Sequence, residues 1–341
     1  MNALNILSSL LHYNSVSGFE DSLIPYIKEL FSKAEVYKDN INNIIIGPIG
    51  NKNGKKLLVE AHCDQIGFIV TAVLEGGFLK VDAVGSIDER TLLASRVKIY
   101  GREVIDGVFS SVPPHLQKGG DDKSYLSLNE LYIDTGLSFE KLSQTVSVGD
   151  AVCISAPLNL IGENRVISPF LDNKAGCTCA LLVLDELLKK EPLNTCVYIV
   201  LTSGEEVGCR GIKAAKHNIM PDEAICIDVS FAKQNGAPSE KCGELEKGAM
   251  LGLSPVLDKK MRENLILSAK KYAIPYQDEI LPELTGTNAD VVSIMYGATK
   301  TALLSIPIKN MHTPSELCSL FDIENTAKLI LTYIKEGDKN A

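Results

Sequence analysis

From residue 168 to the C-terminus, helical patterns alternate with short apolar runs of strand length, and this rhythm constrains the fold more than any other feature of the chain. Helices are expected at 173–190, near 207–217, at 258–273 and from 320 to 335. Strands are expected at CVYIVLTS (196–203), EAICIDVS (223–230) and 300–305. The strands hold few polar residues, so both of their faces need cover. That requirement makes a largely parallel or mixed sheet sandwiched by helices, an α/β architecture. In such sheets, binding sites gather beyond the strand ends.

The N-terminal part fits the same sheet. Residues 3–13 and 18–33 read as helices, the second opened by Ser17 with Glu20 three residues on, a capping-box pattern. NNIIIG (42–47), KLLVEAH (56–62) and IGFIVTAV (66–73) have strand length and β-branched content. From about 75 to 163 the texture changes to short strand candidates broken by Gly, Pro and Asp, such as GGFLKVDAVG, SRVKIYG, EVIDGVFSSV and VSVGDAVCIS, with no long helical pattern. This stretch is expected to be an inserted all-β, barrel-like domain (75–163) within an α/β domain made of 1–74 and 164–341.

Composition narrows the function classes. The 34 Lys and Arg against 43 Asp and Glu leave a net charge of −9 with no basic block, so nucleic acid is not an expected partner. Nine cysteines, an odd number, lie mostly inside apolar runs, as Cys63, Cys153, Cys196 and Cys226 do. They read as reduced, buried thiols of a cytoplasmic protein. Cys177 and Cys179 form a CxC in an expected helix, where alternate residues point apart, so no metal clip is expected there. The N-terminus has no basic flank or small-residue cleavage site and reads as no signal peptide. No run approaches the ~18 apolar residues of a membrane span.

Five segments place His, Asp or Glu at the end of a buried run. In EAHCDQIG, His62 and Asp64 are two residues apart on an extended chain and so face one side; a carboxylate there can orient a ligating imidazole. In SPFLDNKAGC, Asp172 precedes a strong helix, where it can be an ordinary N-cap or a carboxylate placed to bridge two cations. In VYIVLTSGEEVG, an apolar strand runs through Gly204 into Glu205 and Glu206; two carboxylates buried together are costly unless cations or protons compensate. In EAICIDVSFA, Asp228 closes a nearly apolar strand and needs a partner. In LLSIPIKNMHTPSE, His312 sits between a strand and an expected helix start at 313–316. Each segment also has a bland reading as a polar turn, cap or solvated pair. Together they supply two imidazoles and several carboxylates from separate strand ends, the inventory of a hydrolytic two-metal site. Of the adjacent glutamates, one can ligate while the other stays free to move a proton.

In this order the segments resemble the M42 family of metallo-aminopeptidases, the glutamyl and tetrahedral aminopeptidase group, over essentially the whole chain; PPHL (113–116) and LYIDTG (131–136) in the β insertion share the likeness. The resemblance implies a zinc-aminopeptidase-like fold and two divalent ions per subunit, zinc or cobalt. His62 and Asp228 would hold one ion, Glu206 and His312 the other, with Asp172 bridging. Asp64 would orient His62 and Glu205 would be the general base. It implies peptide substrates cut one N-terminal residue at a time by attack of a metal-activated water, and a homo-oligomer ranging from dimer to dodecamer, with the inserted domain making dimerisation or oligomerisation contacts.

Two positions depart from the family pattern: Gln65 stands where an acid is usual, and GTNA, with Asn288, where GTDA is usual. They motivate one alternative, an inactive oligomeric peptide-binding homologue. Paired acids motivate another, an endoglucanase-type glycosidase, although Glu205 and Glu206 are adjacent and the chain has no Trp for a sugar platform. His12, His115 and His217 read as surface or capping residues. The loop QKGGDDKSY (117–125) is polar and Gly-rich, expected to be mobile and placed to approach a neighbouring subunit's site.

Overall fold

The computed structural model describes residues 1–113, 125–189 and 193–339. In chain order the elements are α1 (Ala3–Leu10), α2 (Leu23–Leu30), β1 (Val36–Lys38), β2 (Ile44–Gly50), β3 (Lys56–His62), β4 (Gly67–Leu74), β5 (Phe78–Val84), β6 (Arg96–Tyr100), β7 (Val104–Ser110), β8 (Tyr132–Asp134), α3 (Phe139–Thr145) and β9 (Ala151–Ile154). They continue with β10 (Asn159–Ile161), β11 (Arg165–Ser168), α4 (Leu171–Leu187), β12 (Cys196–Thr202), α5 (Arg210–Ile219), β13 (Glu223–Phe231), β14 (Ala249–Leu253), α6 (Lys259–Lys271), β15 (Tyr276–Ile280), α7 (Asn288–Ile294), β16 (Lys300–Ile308), β17 (Glu316–Ser319) and α8 (Leu320–Asp338).

Eight strands form one sheet in the order β1-β2-β12-β3-β13-β16-β14-β15. The central four, β12, β3, β13 and β16, run parallel, so their C-terminal ends share one edge. The expected mixed sheet is therefore present, with both faces covered. On one face α1, α4 and α8 pack through a core that includes Leu7, Leu181, Leu184 and Ile330. On the other, α5 and α7 pack through Ile212, Ala215, Ala289 and Val292. Helix α4 is enclosed and buried on nearly every side, its polar residues included, and both Cys177 and Cys179 are buried in it.

A second unit is a closed barrel, β4-β5-β8-β7-β6-β9. Its core is separate and includes Phe68, Ile99, Phe109 and Ile133, with Phe68 and Phe109 packed edge-on at 5.0 Å between ring centres. Here one strand face is buried and the other wet, as the alternating burial along RVKIY records. The barrel takes its first strand from residues 67–74, ahead of the change of texture at 75.

Two local expectations are corrected. Ser17 and Glu20 form no capping box: the Ser17 hydroxyl donates to Asp64 Oδ2 at 2.6 Å, while Glu20 accepts from the Gly18 amide and a 3-10 turn leads into α2. A buried carboxylate is the stronger acceptor for that hydroxyl. No helix starts at 313–316. Glu316 turns its carboxylate inward and opens β17, which pairs with β11; α8 begins only at Leu320, capped by Ser319.

Candidate metal centre

The shared C-terminal edge of the central strands carries the site. His62 is the last residue of β3, Glu205 and Glu206 follow β12 after a turn, Asp228 lies in the last part of β13, and His312 follows β16. The turn after β12 needs Gly204, whose φ of +61° is unfavourable for a side-chain-bearing residue. Asp172 arrives from the other side, at the start of α4, with non-helical backbone angles. The capping question at this helix is settled by its neighbour: Asn173 Oδ1 accepts from the Gly176 amide at 2.9 Å, leaving the Asp172 carboxylate uncommitted.

The geometry brings all five expected ligands together. Asp172 lies between the imidazoles, with Oδ1 3.2 Å from His62 Nε2 and Oδ2 3.3 Å from His312 Nε2. Asp228 Oδ1 is 3.6 Å from His62 Nε2, and Glu206 Oε1 is 3.7 Å from His312 Nε2. Two groups result, His62–Asp172–Asp228 and Asp172–Glu206–His312, and within each the candidate donor atoms lie within 4.8 Å of one another. Asp172 Oδ1 is buried, and apart from the ring nitrogen of His62 it has no hydrogen-bond partner among the described residues. A buried carboxylate facing two imidazoles needs positive charge beside it, and mixed imidazole and carboxylate donors suit a divalent metal ion.

Charge crowding shapes the titration. Burial alone would depress His62, but Asp172, Asp228 and Asp64 hold it well above the ordinary imidazole value. His312, also opposed by burial, is raised to about 9 by Asp172 and Glu206. Burial and Asp172 push Glu206 up to about 9, and burial pushes Glu205 up to about 7. Burial and the neighbouring Asp172 raise Asp228 as well, against the pull of His62. Asp172, flanked by both imidazoles, is held below the carboxylate range in spite of its burial. Without cations, so many acids stay together only by sharing protons.

Asp64 does more than face His62. Its backbone carbonyl lies 3.2 Å from His62 Nδ1, nearer than its carboxylate at 3.6 Å. The carboxylate accepts from the amides of Glu205 (3.0 Å) and Glu206 (3.2 Å) and from Ser17. It therefore ties the glutamate turn to the histidine strand. Glu205 itself makes no close approach to either imidazole; the Cys209 thiol lies 3.5 Å from its Oε1.

Several neighbours have only a weak sequence signal. Glu316 accepts from the His312 amide (2.7 Å) and the Asp172 amide (3.0 Å), joining two ligand segments 140 residues apart in the chain. Glu60, an acid inside the apolar KLLVEAH, accepts from Thr202 Oγ1 and Asn288 Nδ2, both at 2.6 Å. Asn288 thus serves a buried polar knot beneath the site. Gln65 turns away from the imidazoles, accepting from Ser15 and lying against Cys153 of the barrel. His12 and His217 pack against Tyr13 and Tyr296; His115 and all but the last residue of the 117–125 loop lie outside the described residues.

The cluster opens into a cavity of about 400 Å³. A cleft of similar size at the opposite end of the strands, about 430 Å³, has the Lys55–Glu223 ion pair in its lining and no imidazole. The barrel reaches the outer rim through Gly85 (φ +80°), where a Cβ would fall 2.7 Å from Ile66 and 3.4 Å from Glu206. Carboxylates converging with two imidazoles are not the opposed pair, ~5–9.5 Å apart across a sugar ring, that glycoside hydrolysis requires.

Comparison with known proteins agrees with this chemistry. The M42 glutamyl aminopeptidase family model matches residues 42–329. The lysyl aminopeptidase of Pyrococcus furiosus is 30% identical over 97% of this chain and 96% of its own length. The TET aminopeptidase of a marine sediment thaumarchaeon superposes with a TM-score of 0.92 at 25% identity, covering 99% and 97% of the two chains. The TET1 peptidase of Pyrococcus horikoshii, described as able to assemble into a tetrahedron or a large octahedral shell, gives 0.86 at 27% identity over 97% and 98%. Neither the glycosidase nor the inactive-homologue reading is favoured, and the chain belongs to the M42 family as a metal-dependent aminopeptidase.

Proposed function

We propose that this aminopeptidase works with two divalent ions per subunit, zinc or cobalt, held by His62 and Asp228 on one side, by Glu206 and His312 on the other, and by Asp172 between them. The observation that carries the proposal is the placement of Asp172, each of whose two oxygens faces a different imidazole at 3.2 and 3.3 Å. When bound, such ions lower the pKa of a coordinated water from 15.7 toward ~7 and polarise the carbonyl under attack.

The chain's own residues do the rest. Glu205 is the general base: its carboxyl, pushed up to about 7 by burial, is poised near neutrality to take the water's proton and pass it to the departing amine. Asp64 holds the Glu205–Glu206 turn against His62, so that base and ligand keep their spacing. The cavity is lined by apolar as well as acidic side chains, which fits the first residue of a peptide. A homo-oligomer, from a dimer up to a twelve-subunit shell with the barrel making contacts, belongs to the same proposal, supported by the likeness to a shell-forming peptidase. The nine free cysteines support a reducing, cytoplasmic location.

The test is Glu205→Gln in metal-reconstituted protein. Turnover of aminoacyl-arylamides should fall by about 10²–10⁴-fold, the usual weight of a general base, with metal content unchanged. Near-normal rates would remove Glu205 from the role.

A further inference from the structure

One acid in the cavity has no duty in the proposed centre. Glu279 on β15 lines the same cavity and is 5% exposed, yet belongs to neither ligand group. Ser305 Oγ donates to its Oε2 at 2.6 Å, and the Ser230 hydroxyl also bonds its carboxylate. Burial raises the Glu279 carboxyl, the two hydroxyls oppose that, and the neighbouring Asp228 adds to the rise. A desolvated carboxylate supported only by hydroxyls awaits a positive partner.

The sheet register shows how it reaches the centre. Asp228 is paired with Ser305 across β13 and β16, and Ser305 is the residue that bonds Glu279. On β14, the strand between, Gly252 pairs with Glu279 and Met250 with Ser305, so the Ser305–Glu279 hydrogen bond crosses that strand diagonally. Paired strands are about 5 Å apart, and the Ser305 hydroxyl bridges to Oε2 at 2.6 Å, so the carboxylate lies roughly 10 Å or less from Asp228 although their backbones are three strands apart. The cavity lining includes the apolar Leu281, Pro282 and Met311 and the exposed Phe231 and Ile280.

We propose that Glu279 is a specificity-determining residue whose carboxylate receives the side-chain cation of the substrate's first residue, so that the enzyme acts on peptides beginning with lysine or arginine. This rests on the aminopeptidase reading of the cavity. A long aliphatic stem lies along the apolar walls while its charged head meets Glu279. An acidic first residue would meet a like charge instead. The cation that lines the cavity, Lys241, is exposed, and its field is screened by solvent, so it weighs less than the buried acid.

The experiment compares kcat/KM for Lys-, Arg-, Leu- and Glu-arylamides in metal-loaded wild type, Glu279→Gln and Lys241→Gln. Lys and Arg should lead in wild type, and Glu279→Gln should lower the Lys-to-Leu ratio by about tenfold or more, mainly through KM. A wild-type preference for Leu or Glu overturns the proposal, as does a Glu preference lost in Lys241→Gln. An equal fall on all four substrates in Glu279→Gln also overturns it, because the residue would then serve the α-amine or the fold. If no arylamide turns over, the aminopeptidase reading fails by itself. Calorimetric binding of lysinamide against leucinamide then still decides, with equal affinities ruling the assignment out.

Discussion

His62 is 3% exposed and held from several sides, by the Asp64 carbonyl at Nδ1 and by Asp172 and Asp228 at Nε2. His312 is 26% exposed, sits in a turn at φ +61°, and is fixed mainly through its backbone, by the Glu316 carboxylate. The inner half of the acidic cluster is thus built on a strand end inside the sheet, and the outer half on loops that face the barrel. Rigid, fully oriented donors hold an ion more tightly than donors that must be ordered on binding. In the proposed centre the inner ion should therefore be the tight one and the outer ion the exchangeable one.

The largest expected effect breaks both halves at once. Asp172→Ala should reduce the bound metal from two ions to none, read by elemental analysis after dialysis, because each half loses a donor and the imidazoles lose their shared counter-charge. Full occupancy in that variant would refute the bridge.

Next come the single-sided changes. His312→Ala should leave one tightly held ion, whereas His62→Ala should lose the tight class in a chelator competition assay. Equal behaviour of the two variants would erase the distinction between the halves. Asp64→Asn is the control on both halves: its carboxylate faces His62 and holds the Glu205–Glu206 turn, so both ions should weaken, by about 10–100-fold, the usual effect of disturbing a ligand's support.

A smaller effect concerns pH. In the outer half both His312 and Glu206 are raised to about 9, so both carry protons at neutral pH that an ion must displace. The affinity of the outer ion should rise with pH up to about 9, with a slope approaching about two decades per unit. Pairs of buffers with different ionisation enthalpies would count the protons released. A flat profile would contradict the assignment.

The smallest effect lies beneath the inner half. Burial raises Glu60 from 4.5 to about 7, against the donors Thr202 and Asn288. A carboxyl raised by folding contributes stability that is complete below its unfolded value and is lost as pH rises through the folded one. Glu60→Gln removes this dependence, so relative to wild type the metal-free variant should gain up to about 3 kcal/mol between pH 4 and pH 8. Parallel unfolding curves at the two pH values would rule that out.

The same contrast explains what could be read from the sequence. His62, Glu205, Glu206 and Asp228 were legible because each closes or follows an apolar run, and a parallel sheet brings such ends to one edge. Asp172 could be narrowed only to cap or ligand, since the choice depends on Asn173 taking the cap. The turn around His312 reads as a helix start in sequence because the partners of Glu316 are the amides of His312 and Asp172, the second 144 residues distant. Strand β15 gave no signal at all: YQDEI is polar and lies at a sheet edge, and Glu279 acquires meaning only from Ser305 on another strand.

Anomalous diffraction from crystals grown with zinc or cobalt, collected at the metal's absorption edge, tests the central claim most directly. Two peaks should flank Asp172, one against His62 and Asp228 and one against Glu206 and His312, with the inner peak the stronger after brief chelator treatment. A single peak away from Asp172, or none in protein that turns over peptides, would contradict the account.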